Sequence, residues 1–289
     1  MIEKKVAIAL MARDCAKSLH NNIPEIEKLV RFFVSYDIFV VENDSIDGTK
    51  EILKEWGQSN KNVHLLIKDN EEINYTLNGN LAKRIQRIAF YRNKYLQAIY
   101  DSKKEYDYLI IIDIDIKKFN SDSIIKTIEE APENWEALFA NGRKYTTFFN
   151  HIILGNYYDA YAYLPYDSIY ADFTDTECRL NYDKINNEIK TSKDSYIKCD
   201  SAFAGIGIYK FEYIKNHFYQ VKENNRSSHF DVMCEHIPFN LYLKHKYICK
   251  NLILLYDRIS FIQYLKEKII SQKFLLFITR KILRKQVQD

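Results

Sequence analysis

Residues 106–116 read YDYLIIIDIDI, the most apolar run in the chain, closed by two aspartates at alternate positions. Leu109 to Ile112 leave no polar face, which marks a strand covered on both sides. Upstream, the same kind of run recurs as VAIALMA (6–12), DIFVVEND (37–44) and NVHLLIKD (62–69). Between these runs lie IPEIEKLVRFFVSY (23–36), TKEILKEWGQS (49–59) and LAKRIQRIAFYRNKYLQAIYDS (81–102), whose apolar residues recur at a helical period. Strands alternating with amphipathic helices predict an α/β domain with a mostly parallel, doubly wound sheet and helices on both faces.

Downstream of residue 116 the pattern weakens. SDSIIKTIEEA (121–131) predicts a helix and WEALFANG (135–142) a strand, but 143–198 is a Tyr- and Asp-rich stretch without readable periodicity. CDSAFAGIGIYK (199–210) predicts one strand with two small-residue breaks, and 211–219 a short helix. With no repeat and no low-complexity linker, one domain over 1–257 with an extension over 258–289 is expected.

Composition narrows the possibilities. The 289 residues are 47% hydrophobic and 28% charged, enough for a large core and too apolar for a disordered chain. The net charge of +3 gives no ground for a nucleic-acid partner. It is unevenly spread: residues 261–289 hold seven basic and two acidic side chains, a net of +5, which leaves −2 for the rest. Cys15, Cys178, Cys199, Cys234 and Cys249 show no CxxC spacing, which fits reduced thiols and neither a zinc ribbon nor a disulfide framework. The apolar run near the N-terminus is too short for a secretory segment, and none approaches the ~18 residues of a membrane span. A cytoplasmic protein is expected, peripheral at most to the inner face of the plasma membrane.

In open α/β sheets the ligand sits beyond the carboxyl ends of the strands. The polar residues there are Arg13 and Asp14, then Glu42, Asn43 and Asp44, then Asp69, then Asp113 and Asp115. On an extended chain, Asp113 and Asp115 would lie on one side, where a divalent ion can bridge them. Carboxylate oxygens suit Mg²⁺ or Mn²⁺, which complete their shells with substrate phosphates, the arrangement a nucleoside diphosphate requires. Only seven glycines occur and none follows the first strand, which argues against a glycine-cradled phosphate and against a sugar nucleotidyltransferase.

VVENDSIDGT (40–49) resembles the strand–loop signature of GT-A glycosyltransferases, commonly VVDDGSxDGT, and lies upstream of the DxD. MARDCAKSL (11–19), RIAFYRNKYL (87–96), IIIDIDI (110–116), YYDAYA (157–162), SAFAGIGIYK (201–210) and CEHIPFN (234–240) resemble ordered blocks of bacterial relatives of the fungal capsule-associated mannosyltransferase family. The resemblance spans residues 5 to about 257 and implies a GT-A fold. It implies transfer of a hexose-type sugar from a UDP- or GDP-sugar to a glycan or lipid-linked acceptor of a surface polysaccharide, with Mn²⁺ or Mg²⁺ as cofactor.

Residue by residue, the resemblance puts Glu42 and Asn43 at the base and ribose, with Glu42 replacing the commoner Asp. Arg92 falls beside the nucleotide, where the strand-end rule also puts Arg13 and Asp69, and Asp113 and Asp115 fall at metal and ribose. Glu235 and His236 stand where inverting members carry an acidic pair; either could be the base and His236 a further metal ligand. Asp159, flanked by tyrosines, is a candidate ligand for an acceptor hydroxyl. The tail FIQYLKEKIISQKFLLFITRKILRKQ (261–286) reads as a basic amphipathic helix, suited either to an anionic membrane surface or to packing on the domain or a second subunit. The rival outside the enzymes is a non-catalytic glycan- or membrane-binding protein that retains the fold.

Overall fold

The computed structural model describes residues 2–169, 172–227 and 229–268. Its first half runs β1 (Ile2–Ala12), α1 (Ala16–Val30), β2 (Phe33–Glu42), α2 (Thr49–Ser59), β3 (Val63–Ile67), α3 (Asn80–Asp101), β4 (Tyr108–Asp113) and α4 (Ser121–Glu129). The second half continues with β5 (Ala137–Phe148), β6 (His151–Tyr157), β7 (Leu164–Pro165), α5 (Asp175–Thr191), β8 (Tyr196–Ser201), β9 (Ile206–Lys210), α6 (Phe211–Ile214), α7 (His236–Asn240) and β10 (Lys246–Arg258). The ten strands order as β3-β2-β1-β4-β9-β5-β10-β8-β7, with β6 paired to β5.

The sheet is parallel through β3-β2-β1-β4 and again between β5 and β10, while β9 is inserted antiparallel between β4 and β5. The uninterrupted apolar runs follow from this placement. Val6, Ile8 and Leu10 of β1 pack with Leu19, Leu53 and Ile124 of α1, α2 and α4, whereas Ala7 and Ala9 share the opposite core with Tyr95 and Leu96 of α3. Helices thus cover both faces, and this is the GT-A arrangement.

Several local expectations change. α1 begins at Ala16 and passes through Pro24, and residues 33–36 belong to β2. A proline is a helix-start signal because it lacks an N–H, yet here it sits inside the helix. The stretch 199–210 is two strands: β8 pairs with β10, β9 with β4 and β5. Ala204 and Gly205 reverse the chain between them at φ 53° and 98°, the second of which favours glycine. Gly142 lies so close to this turn that a Cβ would meet the Ala204 carbonyl oxygen at 2.3 Å. Within 143–198 lie a hairpin and α5, whose N-terminus is closed by a Thr174–Glu177 capping box. Only Cys178, Ile185 and Ile189 of α5 are buried, too few for a readable stripe.

The DxD is a turn. β4 ends at Asp113, and the Ile116 N–H donates to the Asp113 carbonyl at 3.3 Å. Ile114 and Ile116 are buried in the core, while Ser18 donates to the Asp115 carbonyl and Asn22 to those of Ile114 and Ile116. Of the basic tail, 261–268 is helical; 269–286 lies outside the described residues.

Candidate active site

At the carboxyl ends of β1, β2 and β4, a cavity of about 180 Å³ is lined by Met11, Arg13, Asn43, Asp113 and Asp115, by Tyr256 of β10, and by Arg84, Arg87, Ile88, Tyr91 and Arg92 of α3. A second opening of about 210 Å³ shares Arg13, Asp115 and Tyr256 with it. Four arginines and the DxD pair therefore face one space.

The loops that build this space are laced to each other. Asp14 and Asp44 both take left-handed φ, 46° and 53°, a conformation aspartate tolerates. The Asp14 N–H donates to Ser45 Oγ, and Asp14 accepts from the Ile46 N–H. The Cys15 N–H donates to Thr49 Oγ1, and the Ala16 N–H to Asp47. The SIDGT segment thus fixes the β1–α1 loop that carries Arg13. Glu42 is buried, accepts from the Ser45 N–H at 2.9 Å through Oε1, and leaves Oε2 without a partner. Asn43 reaches the cavity. Asp69 does not: it is exposed and paired with Lys50 at 2.5 Å.

Arg92 is the hub. Its guanidinium, 3% exposed, donates to Asp113 Oδ1 at 2.9 Å, to Glu235 Oε1 at 3.1 Å and to the Tyr95 hydroxyl at 3.3 Å, under the rings of Phe203 and Tyr219. Burial opposes its charge, but Asp113, Tyr95, Tyr219 and Glu235 outweigh that and hold it protonated. Burial and the neighbouring Asp113 push the Asp115 carboxyl up to about 6. Burial does the same to Asp159, also about 6, with Glu235 and Asp113 adding to it; Asp159 accepts from the Ala204 and Ala162 N–H groups.

Glu235 and His236 are the expected base and metal ligand. Neither lines the cavity, and both are buried. Glu235 reaches Asp113 only through Arg92. His236 stacks on Phe203 at 3.7 Å, its Nε2 lies 3.5 Å from Glu235 Oε1 and its Nδ1 3.5 Å from the Tyr219 hydroxyl, and burial with Arg92 nearby holds it neutral. Among the described residues, no cluster of three or more His, Cys, Asp and Glu forms a closed metal cage. All five cysteines are buried and unpaired.

Arg84, Arg87, Ile88 and Tyr91 escaped the sequence reading. They carried a signal, since 84, 87, 88, 91 and 92 follow the spacing of one helix face. Tyr256, stacked on Tyr158 at 3.5 Å, had none.

The fold and the loop–turn geometry define the class, a GT-A α/β protein. The sequence profile of the family described as Cryptococcal mannosyltransferase 1 matches residues 5–223, and the chain belongs to that family. No curated protein sequence matches it. Solved structures similar to it include the mannosyltransferase PcManGT from Pyrobaculum calidifontis in complex with GDP-Man and Mn²⁺, at 10% identity and TM-score 0.44, covering 88% of this chain and 57% of that one. S. aureus TarS 1–349 is similar at 14% identity and TM-score 0.44, covering 88% and 60%. Glucosyl-3-phosphoglycerate synthase from Mycobacterium tuberculosis, in complex with Mn²⁺, UDP and phosphoglyceric acid, is similar at 15% identity and TM-score 0.32, covering 48% and 44%. This chain spans less than two thirds of each of these three proteins.

Proposed function

We propose that the protein transfers a hexose-type sugar from a UDP- or GDP-sugar to a glycan or lipid-linked acceptor. The carrying observation is the convergence of Arg13, Arg84, Arg87 and Arg92 with Asp113 and Asp115 on one cavity at the strand ends. Guanidinium groups recognise diphosphate oxygens through paired, charge-assisted hydrogen bonds. The donor's diphosphate would lie along α3, and Asn43 would face its ribose and base, with the buried Glu42 bracing the loop through Ser45.

The donor set fits Mn²⁺ or Mg²⁺. Asp113 and Asp115 offer hard oxygens and no closed cage, leaving the remaining positions to substrate phosphate and water. When bound, the cation supplies charge neutralisation at the departing diphosphate. Arg92 adds to that neutralisation while it holds Asp113 in place, and Glu235 holds Arg92. In this reading Glu235 is a positioning residue, and His236 packs beneath the arginine. Asp159 remains the candidate contact for an acceptor hydroxyl. Residues 1–257 form the transferase domain, and 258–289 an extension whose charge suits an anionic membrane surface on the cytosolic side.

A thermal-shift series over nucleotide sugars with Mn²⁺ tests this. One UDP- or GDP-sugar at saturating concentration should raise Tm by about 5 °C or more, and chelation should remove the shift. If no nucleotide sugar shifts Tm and none is hydrolysed or transferred, the reading fails.

A further inference from the structure

The β5–β6 hairpin has a two-residue tip, Phe149 and Asn150, with φ of 45° and 62°. Two-residue turns of this kind normally use Asn, Asp or Gly, and a bulky residue there is an outlier. Phe149 is nonetheless 82% exposed, beside Phe148 at 46% and Ile152 at 52%. The helix over 261–268 packs against this tip: Phe261 stacks on Phe148 at 4.9 Å, the Ile259 N–H donates to the Tyr145 carbonyl, and Lys144 pairs with Glu267 at 3.1 Å. From that helix Ile262 and Leu265 are also exposed, at 67% and 43%. Phe148 and Phe149 of the tip and Ile262 and Leu265 of the helix are thus exposed large apolar side chains on two linked elements, while Ile152, paired with Thr147, lies on the other face of the hairpin from Phe148.

The surroundings of the patch are cationic. At the root of the hairpin lies a cavity of about 470 Å³ to which Arg143, Lys190, Lys250 and Lys268 contribute against one carboxylate, Asp183. Burial lowers the Lys268 ammonium, and Arg143 and Lys190 lower it further, so positive groups crowd here. Outside the described residues, the sequence after Lys268 contains Lys273, Arg280, Lys281, Arg284 and Lys285. An apolar tip with cations at its root is complementary to an anionic lipid interface.

The direction is consistent with a lipid-linked acceptor. Pairing of Phe139 with Gly207 and of Gly207 with Ile111 sets Asn141 level with Asp113. β5 then runs seven residues to Phe148, ~20 Å at strand rise, on the side where the DxD cavity opens.

We infer that the hairpin tip and the helix over 261–268 form one membrane-docking face, in which Phe148, Phe149, Ile262 and Leu265 enter the interface of an anionic bilayer while Lys268 meets its phosphates. The inference rests on the reading of 258–289 as a membrane-directed extension and adds a specific insertion element within the domain.

The test uses the full chain carrying Phe149→Trp, whose emission stands out because Trp56 and Trp135 are buried. Vesicles of phosphatidylcholine mixed with phosphatidylglycerol should shift this emission to the blue and allow quenching by brominated acyl chains; phosphatidylcholine alone should do neither. The double variant Phe148→Ser/Phe149→Ser should partition about tenfold more weakly into the anionic vesicles, with donor binding unchanged. Vesicle binding with the introduced indole still in water overturns the insertion element and leaves the tail as the membrane contact. A blue shift without vesicles overturns it too: independent of concentration, the tail covers the patch; dependent on it, a second copy does. Absence of vesicle binding overturns both membrane readings and leaves the transferase reading to the thermal-shift series.

Discussion

Two charge clusters, each centred on a buried side chain, sit on the same side of the sheet and differ in their balance. Near the start of β2, the Asp37 carboxylate is met by Lys104 at 2.8 and 2.9 Å, His64 at 2.7 Å and the Tyr106 hydroxyl at 3.0 Å. One anion is over-supplied with donors. At the strand ends, Arg92 serves both Asp113 and Glu235, and Asp115 and Asp159 add two further carboxyls nearby. In the first cluster three donors meet one carboxylate; in the second one guanidinium is shared by two carboxylates, and Asp115 has no ion-pair partner among the described residues. Both clusters centre on a buried group; the balance of partners is what differs.

That contrast can be broken by substitution, from the largest effect to the smallest. Arg92→Met strips the partner from two carboxyls and should lower stability by about 3–5 kcal/mol in urea unfolding, while Arg92→Lys should fold and bind donor at least tenfold more weakly. Asp37→Ala should cost about 2 kcal/mol and leave donor affinity unchanged; a changed affinity would end the division into structural and functional clusters. Burial pushes the Asp37 carboxyl up, but the bonds from Lys104, His64 and Tyr106 outweigh it and hold it below its usual value. Its contribution is therefore fully present above the ordinary carboxylate range and lost as pH falls through the depressed value. Acid unfolding of Asp37→Ala should accordingly converge on that of the wild type at low pH.

Arg87→Gln should weaken donor binding about tenfold by calorimetry with no change in Tm, since it lines the cavity without an ion pair among the described residues. His236→Phe should stay within about 1 kcal/mol of the wild type and keep donor binding, because it replaces a neutral ring whose contacts to Tyr219 and Glu235 are long, 3.5 Å each, by an apolar one of similar shape. Loss of activity with an intact fold would return His236 to the chemistry.

The sheet up to β4 was legible because strands buried on both faces must be apolar throughout, as Val6–Leu10 and Leu109–Ile112 are. The second half was not, because its signals are conformational: the reversal at Ala204–Gly205 looks like a pause within one strand. The DxD turn hides for the same reason, since Ile114 and Ile116 suit an extended chain equally well. At the site, the strand-end rule picked out Arg13, Asn43, Asp113 and Asp115, all of which line the cavity. It could not reveal that Arg92 stands between Asp113 and Glu235, a relation spanning 143 residues of chain between Arg92 and Glu235.

The most direct test is Asp115→Asn, measured as sugar transfer and as donor binding with and without Mn²⁺. The expected result is a folded protein with the wild-type Tm or higher, because a carboxyl pushed up to about 6 is removed from beside Asp113, and with metal-dependent donor binding and turnover both lost. An Asp115→Asn protein that still transfers sugar, and does so without regard to metal, would contradict the assignment of the DxD pair to metal and donor.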